Sequence, residues 1–302
     1  MLPEGIIVFE RGWLSANNVL LGGDGPVTLV DRGYCTHSEQ TFSLLSGVLG
    51  QRPLDRLVNT HLHSDHCGGN SLLQSRFPDL ETFIPPGHAA EVHRWDDVAL
   101  TYGPTGQSCP RFRFDRTLEP GSAHELGGRI WVVHAAPGHD PHSVVLFAPD
   151  ERILISGDAL WENGFGVVFP ELEGISAFSA VSDTLDLIES LAPKIVIPGH
   201  GRVFTDLSTS IAVARKRLEG FIHSPRKHGH YAAKVLLKFK LLELQDVRRE
   251  VFHGWASGAS YLTLLHCKYG DTKSREGWLD GLIEEMAANG SLRIAGDRLL
   301  NC

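Results

Sequence analysis

Residues 59–70 read NTHLHSDHCGGN, and three histidines and an aspartate fall within six positions: His61, His63, Asp65 and His66. Their spacing is i, i+2, i+4 and i+5. On a helix, i and i+4 share a face while i+2 points away, so one helix face does not converge all four. A tight loop at a strand end does. The preceding DRLVNT reads as a buried strand that delivers the turn, and GGNSLLQSRF reads as the start of a helix after it.

Three further turns have the same character. His139 lies in AAPGHDPHS after the apolar run IWVV. Asp158 lies in ILISGDAL, and His200 in KIVIPGHG. Each follows an apolar run and sits beside glycine, so all are expected at one edge of a sheet sandwich. Three histidines and a shared carboxylate suffice for one metal ion. An aspartate, two histidines and the same carboxylate suffice for a second. Nitrogen and oxygen donors without thiolate suit Zn²⁺, and also Fe or Mn. A lone histidine is usually a loop residue or a satisfied core residue. Four such turns in one chain argue against that for the set.

The rest of the chain bounds the class. It has 302 residues, 42% hydrophobic and 21% charged, with a net charge of −8. That balance disfavours generic polyanion binding and leaves room for a local basic patch. The sixteen histidines are in keeping with metal ligation. Cys35, Cys67, Cys109, Cys267 and Cys302 are scattered with no CxxC pair and read as reduced thiols; Cys67 reads as small core filling. The N-terminal stretch shows no signal peptide, and no apolar run approaches the roughly 18 residues of a membrane span. A cytoplasmic protein acting on a small molecule is expected.

GIIVFE, NNVLL and VTLVD read as strands, residues 37–49 as an amphipathic helix, and 88–120 as a long irregular insertion. VVLFA and ILISG read as strands joined by the PDER turn, with helices over 176–191 and 207–223. From about residue 210 strands are expected to disappear until the terminal hairpin SLRIAGDRLLNC. YAAKVLLKFKLLEL presents a stripe of Val235, Leu236, Phe239 and Leu242, and REGWLDGLIEEMAANG one of Leu279, Leu282, Ile283 and Met286. Both stripes read as core. The division is a unit over 1–206 and a mainly helical, winged-helix-like unit over 207–302. The locally basic HSPRKHGHYAAK (223–234) reads as a solvated linker between them.

HLHSDH matches the HxHxDH signature of the metallo-β-lactamase-fold superfamily, and PGH at 137–139, GD at 157–158 and GH at 199–200 match its later motifs in order. The resemblance covers residues 1 to about 205. It implies an α/β fold, an αββα four-layer sandwich with metals at one edge. By that resemblance His61, His63 and His139 hold one ion, Asp65, His66 and His200 a second, and Asp158 bridges them. The implied mechanism is hydrolysis by a hydroxide shared between two divalent ions. Asp65 would also orient the proton of the nucleophile. Asp31, ending the strand VTLVD, would orient a ligand histidine or be an ordinary turn residue. His142 would support the site, touch substrate or be structural.

True β-lactamases of this fold typically lack the full HxHxDH set and carry cysteine where Asp158 stands, so antibiotic hydrolysis is disfavoured. A small ester, thioester or lactone is the expected substrate. Glyoxalase II-like thioesterases and lactonases share the set; lactonases often place a tyrosine near the metals, for which Tyr34 and Tyr102 are the N-terminal candidates. The C-terminal unit resembles a winged-helix module found in an endoribonuclease-like branch. The alternatives are therefore a metal-dependent endoribonuclease or phosphodiesterase contacting RNA, and a non-catalytic chain whose tail forms a homodimer.

Overall fold

The computed structural model describes residues 2–271 and 273–302. Its first sheet has the order β1 (Ile6–Phe9), β2 (Asn18–Leu21), β3 (Thr28–Val30), β4 (Arg56–Val58), β5 (Glu81–Ile84) and β6 (Arg116–Thr117). β1 to β3 pair antiparallel and β3 to β6 parallel. The second sheet contains β7 (Ala123–Leu126), β8 (Arg129–Ala135), β9 (Val144–Ala148), β10 (Ile153–Gly157) and β11 (Ile195–Pro198), ordered 11-10-9-8-7. β10 and β11 are parallel, and the other pairs antiparallel.

Strand alternation explains the layering. In β9, Val144, Leu146 and Ala148 point to the core between the sheets, where they meet Val30, Val58 and Phe83 of the first sheet. Val145 and Phe147 point outward, to the helix Phe178–Leu191 through Val181, Leu185 and Ile188. The first sheet does the same. Val19 and Leu21 face inward, while Leu20 meets Leu45 and Leu49 of the helix Ser38–Leu49. Strands covered on both faces read as continuous apolar runs. The result is the αββα sandwich.

The helix Leu207–His223 starts at an aspartate cap, Asp206 accepting from the Thr209 N–H at 3.1 Å. Its Ile211, Ala214 and Leu218 pack on the outer core of the second sheet. The helices Pro225–Leu244, Arg249–Gly258, Ser260–Tyr269 and Arg275–Ala288 follow. β13 (Leu292–Ala295) and β14 (Arg298–Asn301) form the expected hairpin.

Three expectations need correction. β12 (Asp246–Arg248) is a strand where none was expected, paired with β14. It spans three residues and buries one apolar side chain, Val247, too little for a periodic signal. The insertion over 88–120 contains the helix Ala89–Arg94, a helical turn Tyr102–Thr105 and β6. Its Val92, Leu100, Tyr102 and Phe112 pack around Leu62 and Cys67, behind the histidine-rich loop. The basic stretch is no solvated linker: the long helix begins at Pro225, with His228 and Gly229 buried.

Candidate metal centre

Chain direction gathers the site. β3 and β4 are parallel, so Asp31 and the loop 59–63 leave the first sheet at the same end. β8 and β10 are each antiparallel to β9 and β10 is parallel to β11, so His139, Asp158 and His200 also emerge together. The two ends coincide. The loop then closes in a one-turn helix, Ser64–Cys67, which carries Asp65 and His66. The spacing excluded a single helix face, and the structure divides the four residues between loop and helical turn.

Donor atoms of His61, His63 and His139 lie within 4.8 Å of one another, as do those of Asp65, His66 and His200, and those of His61, His66 and Asp158. Asp158 stands between the sets. Its Oδ1 is 3.4 Å from His66 Nε2, and its Oδ2 is 3.5 Å from His139 Nε2 and 3.8 Å from His200 Nε2. His63 Nδ1 faces His139 Nε2 at 2.8 Å. Asp65 Oδ2 is 3.0 Å from His200 Nε2.

Outer hydrogen bonds orient the rings. His66 Nδ1–H donates to Asp31 Oδ2 at 2.9 Å, and Asp31 is itself held by the backbone N–H (3.0 Å) and hydroxyl (2.8 Å) of Thr60. His139 Nδ1–H donates to the Val167 carbonyl at 2.5 Å. His61 Nδ1 lies 3.1 Å from Thr60 Oγ1. Each ring thereby turns Nε2 inward. The backbone is glycine where side chains crowd: a Cβ on Gly199 would overlap Asp158 Oδ1 and stand 2.9 Å from His66 Cε1.

Burial and neighbouring imidazoles hold His61 well below its ordinary pKa, and burial and His139 bring His63 down to about 4. Both are neutral, the form that ligates metal. Burial also pushes His66 down, but Asp158, Asp31 and Asp65 together raise it well above its usual value. Burial pushes Asp158 up, and His66 and His200 more than reverse it.

The residues fit divalent cations. The buried Nε2 atoms of His61 and His66 have no hydrogen-bond partner among the described residues, although buried polar atoms are ordinarily paired. Neutral imidazoles and carboxylates converging on one point are the donor set that Zn²⁺, Fe or Mn takes.

Of the remaining candidates, Asp31 touches His66 directly. His142 does not join the cluster: its ring packs edge-on against His88, centroids 4.4 Å apart. Its neighbour Asp140, missed in the sequence, has Oδ2 3.7 Å from His63 Nε2. Cys67 is fully buried among apolar residues. Tyr102 donates to the Leu62 carbonyl at 2.9 Å, and Tyr34 accepts from the Ser108 N–H at 3.0 Å. Neither lines the cleft.

The cleft over the cluster is walled by residues that no motif marks. Trp13 stacks on His200 at 5.2 Å between ring centroids, and Trp161 donates to Asp158 Oδ1 at 3.1 Å. Phe169 supplies another side. Tyr231, Val235, Leu236 and Phe239 close it from the long C-terminal helix. The stripe read as core therefore also faces the site.

A family model, the Metallo-beta-lactamase superfamily, matches residues 11–200. The chain belongs to this superfamily, and with it to a class of metal-binding hydrolases. Among relatives, it is 27% identical to the acyl-coenzyme A thioesterase MBLAC2 of Homo sapiens, over 67% of this chain and 80% of that protein. It is 28% identical to a hydroxyacylglutathione hydrolase of Crocosphaera subtropica, over 49% of this chain and 48% of that protein. Among solved structures, a metallo-beta-lactamase family protein from Thermus thermophilus aligns over the whole of both chains, with TM-score 0.57 and 19% identity, a likeness of fold. TTHA1623, solved in a di-iron-bound form, is 26% identical with TM-score 0.52, over 69% of this chain and 98% of that one. Among the described residues no helix is long and apolar enough to cross a membrane.

Proposed function

We propose that the protein is a binuclear metal-dependent hydrolase of thioesters, with an acyl-coenzyme A as its first candidate substrate. The observation that carries the reading is the pair of donor clusters with Asp158 between them, with unpartnered buried imidazole nitrogens, under an apolar wall. The names of the relatives, acyl-coenzyme A thioesterase and hydroxyacylglutathione hydrolase, support a thioester.

His61, His63 and His139 would hold one ion, Asp65, His66 and His200 the other, and Asp158 both. Zinc is the first assignment; the di-iron relative makes iron the alternative that metal analysis separates. Such ions lower the pKa of water toward neutrality and polarise an acyl carbonyl. The chain's own part is positioning and proton handling. Burial pushes the Asp65 carboxyl up, and His66 and His200 pull it below the usual range, so it is an acceptor at neutral pH. Asp65 accepts the proton of the attacking water. The water oxygen bonds to the acyl carbon, the C–S bond breaks, and the proton passes to the leaving thiolate. Phe169, Leu236 and Phe239 hold the acyl chain and exclude water from it.

A ribonuclease or phosphodiesterase would lay a ribose-phosphate backbone against these same apolar side chains, which suits it less. We also read residues 207–302 as a winged-helix-like unit that supplies the lid of the cleft, supported by its helix, β12, helices and β13–β14 order. The free cysteines support a cytoplasmic setting.

The test is thiol release from an acyl-coenzyme A by metal-loaded protein, beside a lactone and an oligoribonucleotide. Thioester turnover that falls by about 100-fold or more in Asp65→Asn supports the reading. Turnover of the lactone or RNA with none of the thioester overturns it.

A further inference from the structure

Beside the cleft, a groove runs between the helices Leu207–His223 and Pro225–Leu244. Lys216, Arg217, Arg226, Lys227 and Lys234 line it, and among the described residues no carboxylate does. A chain of net charge −8 concentrates positive charge here against its own background. Arg226 is paired with Asp271, and Lys234 approaches Glu285 at 3.4 Å. Lys216 and Lys227 are exposed and have no ion-pair partner among the described residues.

The groove and the cleft share one residue, Tyr231. The Arg217 guanidinium lies over its ring, 4.5 Å from the centroid. Arg217 also donates to the Phe165 carbonyl at 3.2 Å, which ties the groove to the loop that bears the cleft wall. A ligand with its reactive group under Phe169 and Leu236 would pass Tyr231 to reach the lysines.

Coenzyme A has that bipartite form. Its thioester stands at the end of a flexible, uncharged pantetheine arm, and its phosphates are clustered at the far end. We propose that this groove binds the phosphate-bearing end of a coenzyme A thioester and so selects it over thioesters of phosphate-free thiols such as glutathione. The proposal rests on the thioester reading of the site. Lysines without partners suit this use, because an ammonium already neutralised by a carboxylate gains little from a phosphate.

The test separates binding from turnover. Free coenzyme A and free pantetheine are titrated calorimetrically into metal-loaded wild type, the double variant Lys216→Glu/Lys227→Glu, and Lys194→Glu. Lys194 lies just before β11, at the opposite end of that strand from His200, and supplies a remote charge reversal equal to one of the two in the double variant. Wild type is expected to bind coenzyme A at least about tenfold more tightly than pantetheine, with the difference shrinking as salt rises. The double variant is expected to lose about tenfold or more in coenzyme A affinity, and Lys194→Glu to match wild type. The ratio of kcat/KM on acyl-coenzyme A to that on the acyl-pantetheine should fall in parallel. Equal affinity of wild type for coenzyme A and pantetheine overturns the proposal, as does a double variant that binds coenzyme A like wild type. So does an oligoribonucleotide that displaces coenzyme A at lower concentration than coenzyme A itself. If neither thioester is hydrolysed by wild type yet coenzyme A binding depends on the lysines, the thioesterase reading fails and the groove assignment stands.

Discussion

His66 Nδ1 lies 2.9 Å from Asp31 Oδ2, a fully buried imidazole against an almost fully buried carboxylate. The bond fixes which nitrogen carries the proton and so which one points at the cluster. Asp31 holds this position with φ of +53°, a left-handed conformation that asparagine tolerates better than alanine. Asp31→Asn should therefore fold, keep the backbone and lose the charge. Metal affinity should drop about 10- to 100-fold. Competition with a chromophoric chelator measures it; wild-type affinity would show that Asp31 is an ordinary turn residue.

Removal of metal should cost stability, because the repulsion and desolvation of the clustered donors are offset by the ions they hold. Saturation at about 100 times Kd adds about 2.7 kcal/mol. Thermal unfolding after dialysis against a chelator, then after adding zinc or iron back, reads the effect. A Tm that ignores metal would mean that the donors do not ligate.

His228 joins the C-terminal helix to the loop whose Val167 carbonyl orients His139. Its Nε2 accepts the Val168 N–H at 3.1 Å, one residue beyond the carbonyl that orients His139. The ring must be neutral at Nε2 to accept, and burial with nearby Arg217 lowers its pKa to about 4. The folded pKa is below the unfolded value of about 6.5, so this stability is present above pH 6.5 and is lost as pH falls toward 4. The loss is about 3 kcal/mol. Denaturant titrations across this range should show the decline in wild type and a flatter profile in His228→Gln. His63, brought down to about 4, adds in the same direction in metal-free protein, so the comparison is made within one metal state.

Gly199 precedes His200 and faces Asp158. In Gly199→Ala the new methyl group displaces the carboxylate that stands between the two ligand sets. Bound metal should fall below wild type, and turnover should fall about 100-fold for a displacement of this kind, with far-UV circular dichroism unchanged. Full metal content and activity would show that the carboxylate has room to move.

The clustered donors were legible because each belongs to a short local pattern. HLHSDH, PGH, GD and GH all follow apolar strands, and a strand followed by a glycine-flanked turn needs no distant partner to be recognised. Asp31 carried a weaker form of the same signal. Asp140 carried none, since one aspartate in HDPH looks like turn chemistry.

The cleft walls were not legible. Trp13, Trp161 and Tyr231 lie far apart in the chain, and an isolated aromatic has no periodicity. Val235, Leu236 and Phe239 do form a stripe, but a helix face covered by core and one that roofs a cleft have the same pattern. Residues 88–120 looked irregular because their elements span only a few residues, and 223–234 looked like a linker because its cations, histidines, Pro225 and Gly229 leave no apolar stripe.

By itself the sequence determined the donor types, their order along the strands and the alternation that makes two packed sheets, since these depend on neighbours two to five residues away. Tertiary structure alone decided that Asp158 stands between the two ligand sets, that Asp31 orients His66, and that a C-terminal helix closes the cleft beside a basic groove. Asp31 meets His66 only through the parallel pairing of β3 and β4; the other two relationships join residues from different sheets or from both halves of the chain, and only the packing of one layer on another brings them together.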